Sequence, residues 1–373
     1  MTEALGEVLA QIDDPETVQQ VLAELSDTHA KSTFSCHSTL SGQYKRYLER
    51  RRNRSPATIA QYKRTIPPFV RFAAYQRVLS PDNLTTVLTD DYVNHLFEEH
   101  DADATICTYA KNVRAWLRWL HKRGLCDETV YRILDKEELG LSPEARDEAI
   151  PAADAMSLLD KLHQQRRGTA QHALLELVYN AGPRIGEVHS LDLSDFDPSS
   201  HDLSIRHRPA TGTRIKNGDA NDASPGDGER DIILHPRAVD ALTSYIKTNR
   251  HEITDEYGRE PLFAAHGRAA RSTLRRWIYE ATSCRWAINQ SSEINCDGSC
   301  NPDSNVCPHS YYPHAIRRGA IVSHLSNGLR PDRAAERFDV SIKVIREHYD
   351  PRSKSRRKDD RADAVREAWN NGL

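Results

Sequence analysis

Five side chains invite a chemical reading: Arg184, Lys216, His314, Arg317 and Tyr349. Arg184 lies in "NAGPRIGEVHSL", behind a glycine and a proline, where a helix should begin, with Glu187 one turn on. His314 and Arg317 in "PHAIRRGAIVSHLSNG" are spaced i and i+3, so they share one helix face. Guanidiniums are permanently charged, forked donors suited to anionic oxygens, and a helix start adds backbone N–H groups to the same task. Imidazole moves protons near neutral pH, and a phenol becomes a nucleophile once a base takes its proton. Each motif also has a plainer reading. Arg184 could simply pair with Glu187, and H-x-x-R arises often by chance. Tyr349 in "REHYDPRS" could pack beside Ile342 and Ile345, and Lys216 in "GTRIKNG" could be an ordinary loop lysine.

The elements that must hold these groups fall into two domains. Residues 38–135 read as a helical domain. Ile59, Tyr62, Ile66, Phe69 and Ala73 recur at helical spacing, with Pro67 and Pro68 expected to kink or break that helix. In "ATICTYAKNVRAWLRWLHKRG", Ile106, Ala110, Val113, Leu117 and Leu120 form an apolar stripe. Lys111, Arg114, Arg118 and Lys122 form a basic stripe at the same period, and Gly124 supplies the stop. Residues 136–152 read as a charged linker, and 153–358 as a mixed domain. There "ALLELVYNAG" is helical, "DLSIRHR" and "RDIILHP" are paired strands, and Pro236 opens the next helix. The fold class expected is mostly α with a small β-sheet. Residues 1–37 read as an acidic extension with two short amphipathic helices, and 359–373 as a tail with Ala362, Val365 and Trp369 on one stripe.

Overall charge is balanced, with 51 Lys and Arg against 54 Asp and Glu, so the distribution matters more than the sum. Residues 1–30 hold seven acids and no Lys or Arg, whereas residues 45–77 hold ten bases and one acid, Glu49. Segregation of this kind suggests a basic binding surface. Together with the basic stripe, Arg50, Arg51 and Arg52 point to DNA backbone contacts, where cations displace counterions. A solvated surface face is the alternative for the stripe taken alone. No apolar run is long enough to span a bilayer, and the first residues lack a basic-then-apolar signal. A cytoplasmic location without membrane association is therefore expected, with reduced cysteines.

In chain order the set reads Arg, Lys beside a β-hairpin, His-x-x-Arg, then Tyr. In this order the chain resembles the tyrosine recombinases, the phage-type integrase family, and more closely members from halophilic archaea. The resemblance covers roughly residues 38–358. "AGPRIGEVHSL" matches the family's G-x-R-x-x-E box, "HAIRRGA" its H-x-x-R box and "REHYD" its tyrosine box, while Lys216 stands at the hairpin lysine. The resemblance implies a SAM-like helical core-binding domain followed by a catalytic domain. It implies a site-specific DNA recombinase that cuts and rejoins strands through a 3′-phosphotyrosine, working as a homotetramer on two double-stranded DNA sites. Arg184 and Arg317 would clamp the phosphorane oxygens, His314 would take the Tyr349 proton, and Lys216 would protonate the leaving 5′ oxygen. No cofactor is needed for such chemistry, since the covalent link conserves the bond energy. The tail could dock on a neighbouring subunit or fold back, and accessory proteins could join the assembly.

The chain departs from the family pattern in two places. "RFDVS" puts Asp339 or Val340 where members carry a histidine or tryptophan, with Asp339 expected as the substitute in the catalytic set. The lysine hairpin is also long, "NGDANDASPGDGE", leaving Arg230 as a fallback cation. A third feature, the Cys-rich insertion 284–309, lies outside the family pattern. There Cys284, Cys296, Cys300, Cys307 and His309 could bind a structural zinc ion or remain free thiols. Two other functions fit less of the pattern: a catalytically silent DNA-binding accessory factor, and a metal-dependent nuclease.

Overall fold

A computed structural model of the chain describes residues 39–141, 148–216, 228–283, 307 and 309–349, with 362, 366 and 369. The expected acidic N-terminal helices, most of the lysine-hairpin loop, most of the Cys-rich insertion and most of the tail lie outside the described residues. Two compact units divide the chain at residues 145 and 146.

The first unit is helical: α1 (Leu40–Glu49), α2 (Pro56–Tyr75), α3 (Thr86–Glu99), α4 (Asp103–His121) and the short α5 (Thr129–Arg132). Three starts are set by hydroxyl caps, Thr39, Ser55 and Thr85, which accept from the N–H groups of Gly42, Thr58 and Leu88. The α4 stripe Ile106, Ala110, Val113, Leu117 and Leu120 is buried as the spacing predicts, and Trp116 joins it. Asn112 Nδ2 donates to Thr65 Oγ1 at 3.1 Å inside this core, tying α4 to α2. The two prolines do not break α2, which runs through Pro67 and Pro68. Ile66, Pro67, Phe69 and Val70 are all buried, and their packing outweighs the helix-breaking cost.

The second unit opens with α6 (Ala152–Arg166), α7 (Ala170–Ala181) and α8 (Ile185–Ser190). A three-stranded antiparallel sheet follows, from β1 (Phe196–Asp197), β2 (Asp202–Ile205) and β3 (Arg230–Ile233), in that spatial order. Leu203 pairs with Ile232 and Ile205 with Arg230. The remaining helices are α9 (Pro236–Thr248), α10 (Arg271–Ala281), α11 (Pro313–Ser326), α12 (Pro331–Phe338) and α13 (Ile342–His348). Helix α7 is buried on nearly every face and packs against α6, α9, α10 and α11, the arrangement expected of a central core helix. It ends at Gly182, where φ is +58° and a Cβ would stand 2.6 Å from the Phe338 ring. Glycine is required there by backbone and packing alike. This stop aims the chain into Arg184 and α8.

Candidate active site

Arg184 is the N-cap of α8, as expected from the glycine and proline before it. Its backbone N–H donates to Glu187 Oε2 at 2.8 Å, and its Nη1 donates to Glu187 Oε1 at 2.9 Å. The pairing with Glu187 and the helix-start position are therefore both realised. Glu187 is 1% exposed and also meets Arg230, whose Nη2 lies 2.9 Å from Oε2. Burial works against ionisation of Glu187, but Arg230, Arg317 and Arg184 outweigh it and hold its pKa below the ordinary value. For Arg184, burial is likewise outweighed by Glu187 and Asp339, which raise its pKa.

Helix α11 carries the next pair. His314 lies in its first turn, and Arg317 is 2% exposed one turn later. Arg317 Nη1 donates to Gly182 O at 2.5 Å, and Nη2 donates to Phe338 O. Burial, then the charge of Arg184, lowers its pKa to about 10, still far above neutrality, so the group stays a cation. Desolvation lowers the His314 pKa, reinforced by Arg317, Arg318, Arg184 and Lys216. The shift favours the neutral imidazole, the form able to accept a proton. Those same influences place Arg184, Lys216, His314 and Arg317 in one electrostatic neighbourhood.

Tyr349 is the C-cap of α13 and is 7% exposed. It contributes to the charge environment of Arg317, so the phenol belongs to the same cluster. Arg318 lies with its guanidinium carbon 5.0 Å from the Tyr349 ring centroid and donates to His348 O at 3.2 Å. Asp339 takes a left-handed conformation, φ +49°, at the end of α12, and its carboxylate pairs with Arg184. Val340, the other candidate for that position, packs against the core instead. Arg230 is spent on Glu187, Gly228 O and Arg337 O, so it braces the site rather than replacing Lys216.

Lys216 is exposed on a turn that buried charges hold. Asp192 receives Arg259 and Arg268, each at 2.7 Å, and Arg208 meets Asp195 at 2.5 Å. Arg259 also donates to Thr211 Oγ1 and Thr213 Oγ1, at 2.6 and 2.8 Å, in the segment leading to Lys216. Arg268 donates to the carbonyls of His189 and Leu191 at the end of α8. Sequence reasoning missed this network and Arg318. Ion pairs between residues so far apart in the chain leave no periodic trace, and the residue after Arg317 points off the face that H-x-x-R defines.

In the helical unit, Lys111 and Arg118 on α4 and its C-cap Lys122 are exposed, as are Arg50 and Arg52. Arg114 departs from expectation: it is half-buried and paired with Asp135 at 2.7 Å, because α4 brings it against the segment after α5. Arg51 stacks over Tyr47 at 4.3 Å and Arg123 over Trp119 at 3.8 Å. Desolvation, then Arg50, Arg46 and Arg51, lowers the Arg123 pKa, which marks a crowded cationic patch. Arg46 and Arg123 were not singled out by their spacing, and the Tyr47–Trp119 contact joins them to it. Of the cysteine cluster, Cys307 is buried and His309 exposed, whereas Cys284, Cys296 and Cys300 lie outside the described residues. Among the described residues no His, Cys, Asp and Glu gather in a metal-binding group. No helix there is long and apolar enough to cross a membrane.

Comparison with known proteins bears on the fold and on relatedness. Residues 42–124 match the phage integrase N-terminal SAM-like domain. The tyrosine recombinase XerC of Herpetosiphon aurantiacus is 23% identical over 325 residues, covering 80% of this chain and 95% of that protein. XerC of Myxococcus xanthus is 22% identical over 210 residues, 56% of this chain, and the chain spans 63% of that protein's length. In fold, the chain is similar to the Tn1549 transposon integrase solved with a circular intermediate DNA (TM-score 0.64, 14% identity, 87% of this chain and 99% of that one). It is also similar to a lambda integrase dimer bound to a core site (TM-score 0.55, 14% identity, 85% and 97%). With its SAM-like helical unit and its mostly α second unit around a small sheet, the chain is similar to the tyrosine recombinases in sequence and to integrases in fold over most of its length.

Proposed function

We propose that the protein is a site-specific DNA recombinase, an integrase that cuts and rejoins DNA through a 3′-phosphotyrosine. The observation that carries this reading is the shared neighbourhood of Arg184, Lys216, His314, Arg317 and the phenol of Tyr349. Tyr349 Oη attacks phosphorus and its proton passes to neutral His314. The bond to the 5′ oxygen breaks, and Lys216 gives that oxygen a proton. Arg184 and Arg317 stabilise the charge that builds on the non-bridging oxygens. Attack by a second 5′ hydroxyl reverses these steps and seals the new strand, so the chemistry draws on no cofactor. Arg50, Arg52, Lys111, Arg118 and Lys122 hold the backbone of double-stranded DNA in the cytoplasm. Protomers assemble as a tetramer on two sites, in keeping with the lambda integrase tetramer solved on a Holliday junction. Cys284, Cys296, Cys300, Cys307 and His309 are proposed as ligands of a structural zinc ion, checked by metal content in plasma mass spectrometry.

The test uses nicked duplexes with a randomised core, from which the sequence trapped best by the wild-type protein is taken forward. A covalent 3′ adduct that Tyr349→Phe abolishes is the expected result. Equal trapping by Tyr349→Phe, or tight sequence-specific binding with no adduct at any salt concentration, would overturn the assignment.

A further inference from the structure

The two arginines of the site are held in the same way. Arg317 Nη2 donates to Phe338 O and Arg184 Nη2 donates to Asp339 O, the latter at 2.5 Å. Consecutive carbonyls at the end of α12 therefore receive one guanidinium each. A helix C-terminus is suited to this, because its last carbonyls lack helical partners and carry partial negative charge. Asp339 adds its side chain, since Arg184 Nη1 donates to Oδ2 as well as to Glu187 Oε1. The left-handed backbone at Asp339 turns carbonyl and carboxylate to the same side, and aspartate is among the few non-glycine residues that adopt it readily.

A guanidinium presents two forked edges: a terminal one with both Nη atoms and a lateral one with Nε and Nη2. In Arg184, Asp339 spans both Nη atoms of the terminal edge. The Nε–H and the second Nη2–H make no hydrogen bond to a described residue. We infer that Asp339 is a positioning residue: it clamps the terminal edge of Arg184 so that the lateral edge receives the scissile phosphate. This rests on the recombinase reading above and departs from the sequence-based expectation that Asp339 replaces a group of the catalytic set. An ionised carboxylate has no proton to donate to a phosphate oxygen and repels it at close range. Its work is done through Arg184.

The experiment measures single-turnover adduct formation by the full chain at saturating nicked duplex, using the sequence selected above. Asp339→Asn keeps an acceptor and tolerance of the left-handed backbone. Asp339→Gly keeps only the backbone. Asn should slow the reaction about 10-fold and Gly about 100-fold, the range spanned by weakening and then losing charged hydrogen bonds to a guanidinium. In an Arg184→Lys background, which lacks the terminal fork, the same Gly change should cost under about 3-fold. A Gly variant as fast as wild type overturns the inference, as does an equal loss in both backgrounds. If the Gly variant fails to fold, Asn decides: its loss must vanish in the Lys background. A second readout is independent of chemistry. The Nε–H resonance of Arg184 should shift on adding the duplex, and less so in Asp339→Asn. No shift in wild type refutes the lateral-edge assignment even where adducts form, whereas a shift without adducts refutes only the recombinase reading.

Discussion

Arg230→Met tests whether buried charge balance builds this site. Arg230 has a side chain only 9% exposed and gives two donors to a carboxylate that is 1% exposed. At 2.9 Å and an effective dielectric of 20, the gross attraction is about 6 kcal/mol. Glu187 keeps Arg184 and the nearby Arg317 after the change, so the net loss is smaller. Breaking one partner from a buried pair costs about 3–5 kcal/mol, and methionine preserves most of the packed bulk. For a unit of this size that corresponds to a melting point roughly 6–20 °C lower. Calorimetry on the full chain reads it directly. The pH dependence gives a second check. Glu187 has a folded pKa below its ordinary 4.5, so its contribution is complete above that value and is lost as pH falls through the folded pKa. In Arg230→Met the folded pKa rises, and acid unfolding of the second unit should begin at a higher pH. A destabilisation under about 1 kcal/mol, with an unchanged acid limb, would show that Arg184 and Arg317 alone neutralise Glu187.

Three further outcomes are expected. Gly182→Ala places a methyl against the Phe338 ring in a left-handed backbone, so it should cost about 2–4 kcal/mol by chemical denaturation and slow adduct formation, because Gly182 O holds Arg317; a loss below about 0.5 kcal/mol refutes the packing argument. His314 has a lowered pKa in the free protein, so the acid limb of kcat/KM for adduct formation should fall below pH 6.5, and His314→Gln should remove it. Replacing Lys122 or Arg118 by glutamine should flatten the log–log salt dependence of DNA binding by about 0.9 for each phosphate no longer neutralised, whereas Arg114→Gln should leave that slope alone because Arg114 is paired with Asp135.

Local pattern was enough for much of the fold. The stripe from Ile106 to Leu120, the alternation of Leu203 and Ile205 and the stop at Gly124 are written in spacings that a single helix or strand obeys. Pro67 and Pro68 show where that logic ends. A local rule predicts a break, and burial of Ile66, Phe69 and Val70 overrides it.

The candidate site divides along the same line. Arg184 at a helix start, His314 and Arg317 on one face, and Tyr349 after an apolar turn are legible because each depends on neighbours within a few residues. Asp339 on Arg184, Arg230 on Glu187 and Arg318 over Tyr349 join segments far apart in the chain or pair a residue with a ring it does not adjoin. No periodicity encodes such pairs. They exist because α7, α11 and α12 pack so that buried cations must find anions and carbonyls, and desolvation makes leaving them unpaired costly. The residue types pointed to phosphate chemistry as an expectation. Which carbonyls and carboxylates each arginine meets was decided only when the helices came together.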